Sequence, residues 1–138
     1  MKKNSTVKPI TRMWPLPVHL KGAAAEFYSR AGKELVKAGI LTNLDFESYC
    51  AMCSAYHLMM EALAEVDKAG MNVSGSRDEV KKNPSSSVFK SASEIFLKYA
   101  SQFGILPGAR ANWDISSNGP DMFDDFLSKK VLDDKSRP

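Results

Sequence analysis

Apolar side chains recur every three or four residues in two long stretches of the chain, which is the pattern of amphipathic helices. The first stretch runs from a Thr42 N-cap to Gly70 and carries Tyr49, Met52, Cys53, Tyr56, Met59, Met60, Leu63 and Val66. The second begins at Asn83-Pro84, ends at Gly104 and carries Val88, Phe89, Ala92, Ile95, Phe96, Tyr99 and Phe103. A short connector, 71–82, joins them, so we expect an antiparallel helical hairpin.

Shorter elements flank this hairpin. Helical spacing from Phe27 to Leu35 predicts a helix between Gly22 and Gly39, and Pro107 can open a further short helix. The connector predicts a turn or a short two-stranded hairpin. Prolines in residues 1–20 favour an extended arm, with Trp14 and Leu16 placed to contact the rest of the protein.

These elements predict an all-α fold: two long antiparallel amphipathic helices with shorter flanking helices. We divide the chain into an N-terminal arm at 1–22, a helical core at 23–113 and a C-terminal tail at 114–138. A length of 138 residues is typical of a single domain. Two cysteines exclude a disulfide scaffold, and neither a secretory signal nor a membrane-length apolar run is evident, which favours a cytosolic protein.

Charge is distributed unevenly, although the formal total is only +3. The arm carries +5 without any acid, residues 23–70 carry −3, residues 71–110 carry +3, and residues 111–138 carry −2. A basic arm and connector opposite an acidic tail suggest surfaces for different partners, although both ends being simply solvated is an equally good interpretation at this point.

Catalytic and cofactor motifs are absent from the sequence, so we expect neither an enzyme nor a bound cofactor. Cys50, Cys53 and His57 have the spacing of metal ligands, with His19 as a possible fourth, but they coincide with the apolar face of a helix. We interpret them as core or surface residues and predict no metal site. The cluster Asp121, Asp124 and Asp125 is interpreted as a solvated or partner-binding segment.

Basic residues supply the candidate binding chemistry, because lysine and arginine bind DNA phosphates independently of base sequence. Three of them share a face of the first helix, three lie on the connector, and most of the others lie on the arm. As a set, the predicted DNA-binding residues are Lys2, Lys3, Lys8, Arg12, Arg30, Lys33, Lys37, Arg77, Lys81, Lys82 and Arg110. Near the C-terminus, an apolar segment too short to be stable alone is predicted to fold on a partner through Phe123, Phe126 and Leu127.

The order of landmarks from Phe27 to Trp113 resembles the small subunit of tailed-phage terminases, in the group with a short helical core. The similar segments are AEFYSRAGKELVKAGILTNLD at 25–45, the long helix ending at Gly70, and KNPSSSVFKSASEIFLKYASQFGILPGAR at 82–110. Leu106 stands where that family usually has threonine, so the expected cap before Pro107 is missing.

The resemblance implies a non-enzymatic protein of viral genome packaging in the host cytoplasm. Such a subunit binds double-stranded viral DNA, assembles into a homo-oligomeric ring, and recruits or regulates the large subunit that has ATPase and nuclease activities. The tail around Phe123, Phe126 and Leu127 would contact that large subunit. Two other classes remain open: a helical transcription regulator that binds an operator as a dimer, and a scaffold protein without affinity for DNA.

Overall fold

A computed structural model describes residues 7–77 and 79–111. Its helices are α1 (Ala23–Lys37), α2 (Phe46–Ala69), α3 (Pro84–Gln102) and the short α4 (Pro107–Arg110), with a 3₁₀ turn at Asn43–Asp45 before α2. Strands β1 (Asn72–Ser74) and β2 (Val80–Lys82) pair antiparallel, with Val73 opposite Lys81. The mostly helical fold is therefore confirmed, and the connector folds as the two-stranded hairpin.

Helices α2 and α3 pack against each other as an antiparallel pair. The ring of Tyr49, near the start of α2, lies 5.9 Å from that of Phe103, just after the end of α3, and Tyr56 lies 5.5 Å from Phe96. At the opposite end, the Asn83 side chain donates to the Gly70 carbonyl at 2.8 Å. The predicted helical hairpin is thus present.

Local capping explains where the helices begin and end. Thr42 and Asp45 form the capping box before α2, and Asn83 accepts a hydrogen bond from the Ser85 amide at the start of α3. Gly39 and Gly104 each take φ of 70°, and each lies within a Schellman motif that ends α1 or α3. Leu106 makes no side-chain cap before Pro107, as its apolar side chain predicted.

The core lies around the first half of α2, between α1 and the end of α3. Leu41, Tyr49, Met52 and Cys53 are fully buried there, and the Tyr49 hydroxyl donates to the Tyr28 carbonyl at 2.6 Å. Helix α1 runs beside this half only: its start at Gly22 lies against His57, and Phe27 stacks on Tyr56 at 4.7 Å. Beyond His57, α2 continues for about 18 Å with α3 as its helical neighbour.

Residues 7–20, which we call the arm segment, contain no helix and pack on the core. The Ile10 amide donates to the Leu41 carbonyl at 2.8 Å, and Leu20 is buried. The Trp14 ring lies 5.2 Å from Phe46 in an edge-to-face arrangement. Leu16, the other residue expected to hold the arm, is 47% exposed, so Trp14 makes the contact that Leu16 does not.

Candidate nucleic-acid interface

The outer face of α1 presents three of the predicted DNA-binding residues. Because Phe27, Tyr28 and Leu35 face the core, Arg30, Lys33 and Lys37 are directed away from it and are exposed. Glu26 and Glu34 are exposed on the same helix. The charge of this face is therefore mixed. The distance of each cation from these carboxylates determines how strongly that cation attracts a phosphate.

A cleft of about 360 Å³ lies between the arm segment and α1. We call it the arm cleft. Arg12 enters it from the arm segment and Lys33 from α1, so the fold brings together two predicted residues that are far apart in sequence. Its other lining residues are Thr11, Met13, Trp14, Leu16, Tyr28, Ser29 and Val36. Two cations and hydroxyl groups without a lining carboxylate make this cleft suitable for an anion.

A second depression, the α1–α2 groove, lies beside the arm cleft and shares Ser29 and Lys33 with it. Its volume is about 640 Å³, and stacked Phe27 and Tyr56 contribute to its lining. The guanidinium of Arg30 is 5.9 Å from the Phe27 ring centroid. Both Glu26 and Glu34 also line this groove, so its cations face carboxylates of opposite charge.

The connector residues form a separate basic group. Arg77, Lys81 and Lys82 are exposed at the tip of the helical hairpin, beyond the far end of α2 from the core. The part of α2 that separates this tip from the start of α1 is about 18 Å long. The basic residues of α1 and those of the connector thus form two separate surfaces on one molecule.

Two further predicted residues have different surroundings. Exposed Lys8 adjoins Pro9, which bridges to Thr42 near the end of α1. The Arg110 guanidinium donates to the Ile105 carbonyl at 2.9 Å and the Gly104 carbonyl at 3.3 Å, so this side chain binds the backbone after α3. Lys2, Lys3 and the predicted partner-binding residues Phe123, Phe126 and Leu127 lie outside the described residues.

The distal half of the helical hairpin exposes large apolar side chains. Small residues, Ala62 of α2 and Ala92 of α3, are buried between the helices there. The large side chains of this half are instead exposed on the outside, and we call them the distal apolar surface: Leu58, Met60, Leu63 and Val88. Exposed Ile95 and Leu97 adjoin Phe96, which lies against Tyr56 nearer the core. Exposed apolar side chains on the outside of this half are candidates for contact with another protein.

The cysteines are placed for packing. Cys50 and Cys53 are buried as free thiols, and burial raises the pKa of Cys53 to about 12 and that of Cys50 above its ordinary value. A thiolate, the form that binds metals, is therefore disfavoured in both. The His57 Nε2 lies 3.1 Å from a Glu61 carboxylate oxygen, and within residues 7–77 and 79–111 no cluster has the composition of a metal site.

The sequence did not predict the arm cleft, because its two sides are joined only by the fold. One signal was present: Gly32 interrupts α1, and a glycine inside a helix usually has a packing reason. Here the reason is close approach, since a Cβ on Gly32 would lie 2.7 Å from the Met13 Sδ and 2.9 Å from the Tyr49 hydroxyl. Met13 thus occupies the space that a larger residue at position 32 would fill.

Comparison with known proteins adds one finding to this geometry. A family model described as phage terminase, small subunit, matches residues 24–119, which is more than half of the chain. Neither the search of curated proteins nor the search of solved structures finds a match to this chain. Within the described residues, no helix is both long and apolar enough to span a membrane.

Proposed function

This chain belongs to the phage terminase small subunit family, and we propose that it binds double-stranded viral DNA as a homo-oligomeric ring and recruits or regulates the terminase large subunit. Membership supports a role in phage genome packaging, and the family is generally non-catalytic. DNA binding, the ring and the contact with the large subunit are the proposed parts. We place this activity in the host cytoplasm.

The proposal of DNA binding is supported by one observation: every predicted basic residue within the described part of the chain is exposed. Each exposed cation that meets a phosphate releases condensed counterions, which favours binding without reading the base sequence. The arm cleft and the connector tip supply two such surfaces. A site of this kind binds any duplex at low salt and loses affinity steeply as salt rises.

The distal apolar surface supports self-association. We propose that this surface packs against a second copy of the chain, because the same surface on a neighbouring hairpin supplies apolar side chains in the same arrangement. Side-by-side packing of hairpins would cover this surface and leave the connector tips of neighbouring subunits close together. A ring would also convert weak phosphate contacts on each subunit into strong overall binding through a high effective concentration.

The acidic tail is the proposed contact with the large subunit. Between residues 114 and 127 it contains aspartates without a lysine or arginine, interleaved with Phe123, Phe126 and Leu127. Negative charge would keep this segment away from DNA, whereas the apolar side chains supply anchors for a protein partner. The tail and the basic surfaces are thus proposed to bind different macromolecules.

Charge reversal at the connector tests DNA binding. We predict that Lys81→Glu combined with Lys82→Glu weakens binding of a 30-base-pair duplex at least tenfold and lowers the slope of log affinity against log salt by about two. Fluorescence anisotropy of labelled duplex, measured across a series of NaCl concentrations, gives both quantities. Val80→Glu combined with Ser76→Glu adds acid beside these residues without removing a lysine, and is the matched control for nonspecific repulsion.

Unchanged affinity and slope in the lysine variant would exclude the connector as a DNA surface. A loss of equal size in the control variant would show that general repulsion, rather than loss of lysine contacts, weakens the complex.

A further inference from the structure

The arm cleft and the α1–α2 groove differ in the charges that face them, although they adjoin each other. Arg12 and Lys33 line the arm cleft without a carboxylate. Arg30 lines the α1–α2 groove together with Lys33, Glu26 and Glu34, so that groove has as many carboxylates as cations. A phosphate in the cleft is attracted by both nearby charges, whereas in the groove two carboxylates oppose the attraction. The neighbouring arginines Arg12 and Arg30 are therefore not equivalent toward DNA.

Contacts of the arm segment hold Arg12 beside α1. Met13, the next residue, lies against Gly32 in the space where a Cβ would be within 2.7 Å of its sulfur. The Tyr28 hydroxyl donates to the Trp14 carbonyl at 3.1 Å and approaches the Pro15 carbonyl at 3.4 Å. Arg12 thus directly precedes Met13 in the chain, and the backbone that follows Met13 is held by the Tyr28 hydroxyl. The contact of Met13 with Gly32 joins the arm segment to α1 beside the cleft.

The lining of the cleft matches one unit of a DNA backbone. Its cations and the Ser29 hydroxyl can pair with phosphate oxygens, and the apolar side chains of Leu16 and Val36 offer a surface for the carbon atoms of a deoxyribose. The volume of about 360 Å³ accommodates a phosphodiester with its sugar. Contacts of this kind, to phosphate and sugar, fix the position of a protein on a duplex without reading the base sequence.

We propose that the arm cleft binds one phosphodiester of duplex DNA through Arg12 and Lys33, and that the contact of Met13 with Gly32 positions Arg12 for it. This inference rests on the proposed DNA binding and adds which residues bind the phosphodiester backbone of the DNA. Met13 and Gly32 are positioning residues, since they act through Arg12. Arg30 shares its groove with two carboxylates, so we expect it to contribute less to DNA affinity than Arg12 does.

Duplex binding by full-length variants tests the cleft. The set is Arg12→Ala, Met13→Ala and Gly32→Ala, with Lys98→Ala as a control that removes one exposed positive charge from α3, outside both depressions and outside the predicted DNA-binding residues. Affinity for a labelled 30-base-pair duplex is measured by fluorescence anisotropy from low to physiological salt. Far-ultraviolet circular dichroism verifies that each variant is folded. Should Gly32→Ala fail to fold, Met13→Ala tests the same contact from the other side without changing α1.

We expect Arg12→Ala to weaken binding about tenfold and to lower the salt slope by about one for each subunit in contact with DNA. Met13→Ala and Gly32→Ala should reduce affinity in the same direction with Arg12 still present, and the affinity of Lys98→Ala should lie close to that of the unaltered protein. Equal losses in Arg12→Ala and Lys98→Ala would overturn the cleft assignment while leaving DNA binding intact. If the unaltered protein binds no duplex even at low salt, the proposed function itself fails.

Discussion

A single tyrosine joins three parts of the molecule. Tyr49 is fully buried, and its ring lies 6.3 Å from Trp14 of the arm segment, 5.2 Å from Tyr28 of α1 and 5.9 Å from Phe103 after α3. Burial raises the pKa of its hydroxyl, so the group stays protonated and donates to the Tyr28 carbonyl. Helical periodicity predicted that Tyr49 faces the core, but nothing local in the sequence indicated a hydrogen-bond partner in α1.

Removing this hydroxyl tests its contribution. Tyr49→Phe should lower the free energy of unfolding by about 1 kcal/mol, because a buried hydrogen bond is lost while the ring contacts remain. Urea unfolding followed by circular dichroism measures the change. Tyr56→Phe is the control, since its hydroxyl makes no hydrogen bond to another described residue and should change stability by less. Equal stabilities for the two variants would show that the bond to Tyr28 is of no consequence.

The elements were predictable where local chemistry determines them. Thr42 with Asp45, and Asn83 before Pro84, begin helices through contacts within a few residues, and both starts are confirmed. The contact of Trp14 with the rest of the protein was also predicted, and it is present. The other contacts of the arm segment were not predictable, because Ile10 pairs with Leu41 and Met13 meets Gly32 only in the folded chain. The two grooves beside α1 could not be predicted either, for the same reason.

The Asn83 side chain connects the end of α2 with the start of α3, so its substitution tests a contact between two elements. It is 5% exposed, accepts from the Ser85 amide at 3.0 Å and donates to the Gly70 carbonyl at 2.8 Å. Asn83→Ala should lower the free energy of unfolding by about 1–3 kcal/mol, since it removes a helix cap and leaves a carbonyl without its partner. Ser87→Ala, at an exposed position in the first turn of α3, should cost much less.

Urea unfolding compares the two variants under one condition. An Asn83→Ala protein as stable as Ser87→Ala would contradict the view that Asn83 closes the turn between the β-hairpin and α3.

At the scale of the whole molecule, the two ends of the helical hairpin have different properties. The core end carries α1, the arm segment and the arm cleft, whereas the distal half has buried alanines and large apolar side chains outside. Periodicity identified Met60 and Leu63 as members of an apolar stripe, yet they are 37% exposed. Spacing alone does not tell whether such a stripe is covered by the same chain or by another. We therefore connect the distal apolar surface with assembly.

Native mass spectrometry of the full-length protein tests the central proposal, a DNA-binding ring, most directly. A Leu63→Lys variant places a charge within the distal apolar surface, and Val18→Lys places one on an apolar residue that is 91% exposed near the start of α1. Because burying an unpaired charge between subunits is costly, Leu63→Lys should dissociate the assembly, while Val18→Lys should leave it intact. Circular dichroism establishes that both variants remain helical.

For the unaltered protein, we expect a single closed oligomer whose mass is one fixed multiple of 15.2 kDa, unchanged over a range of micromolar concentrations. A species of 15.2 kDa throughout that range would contradict it.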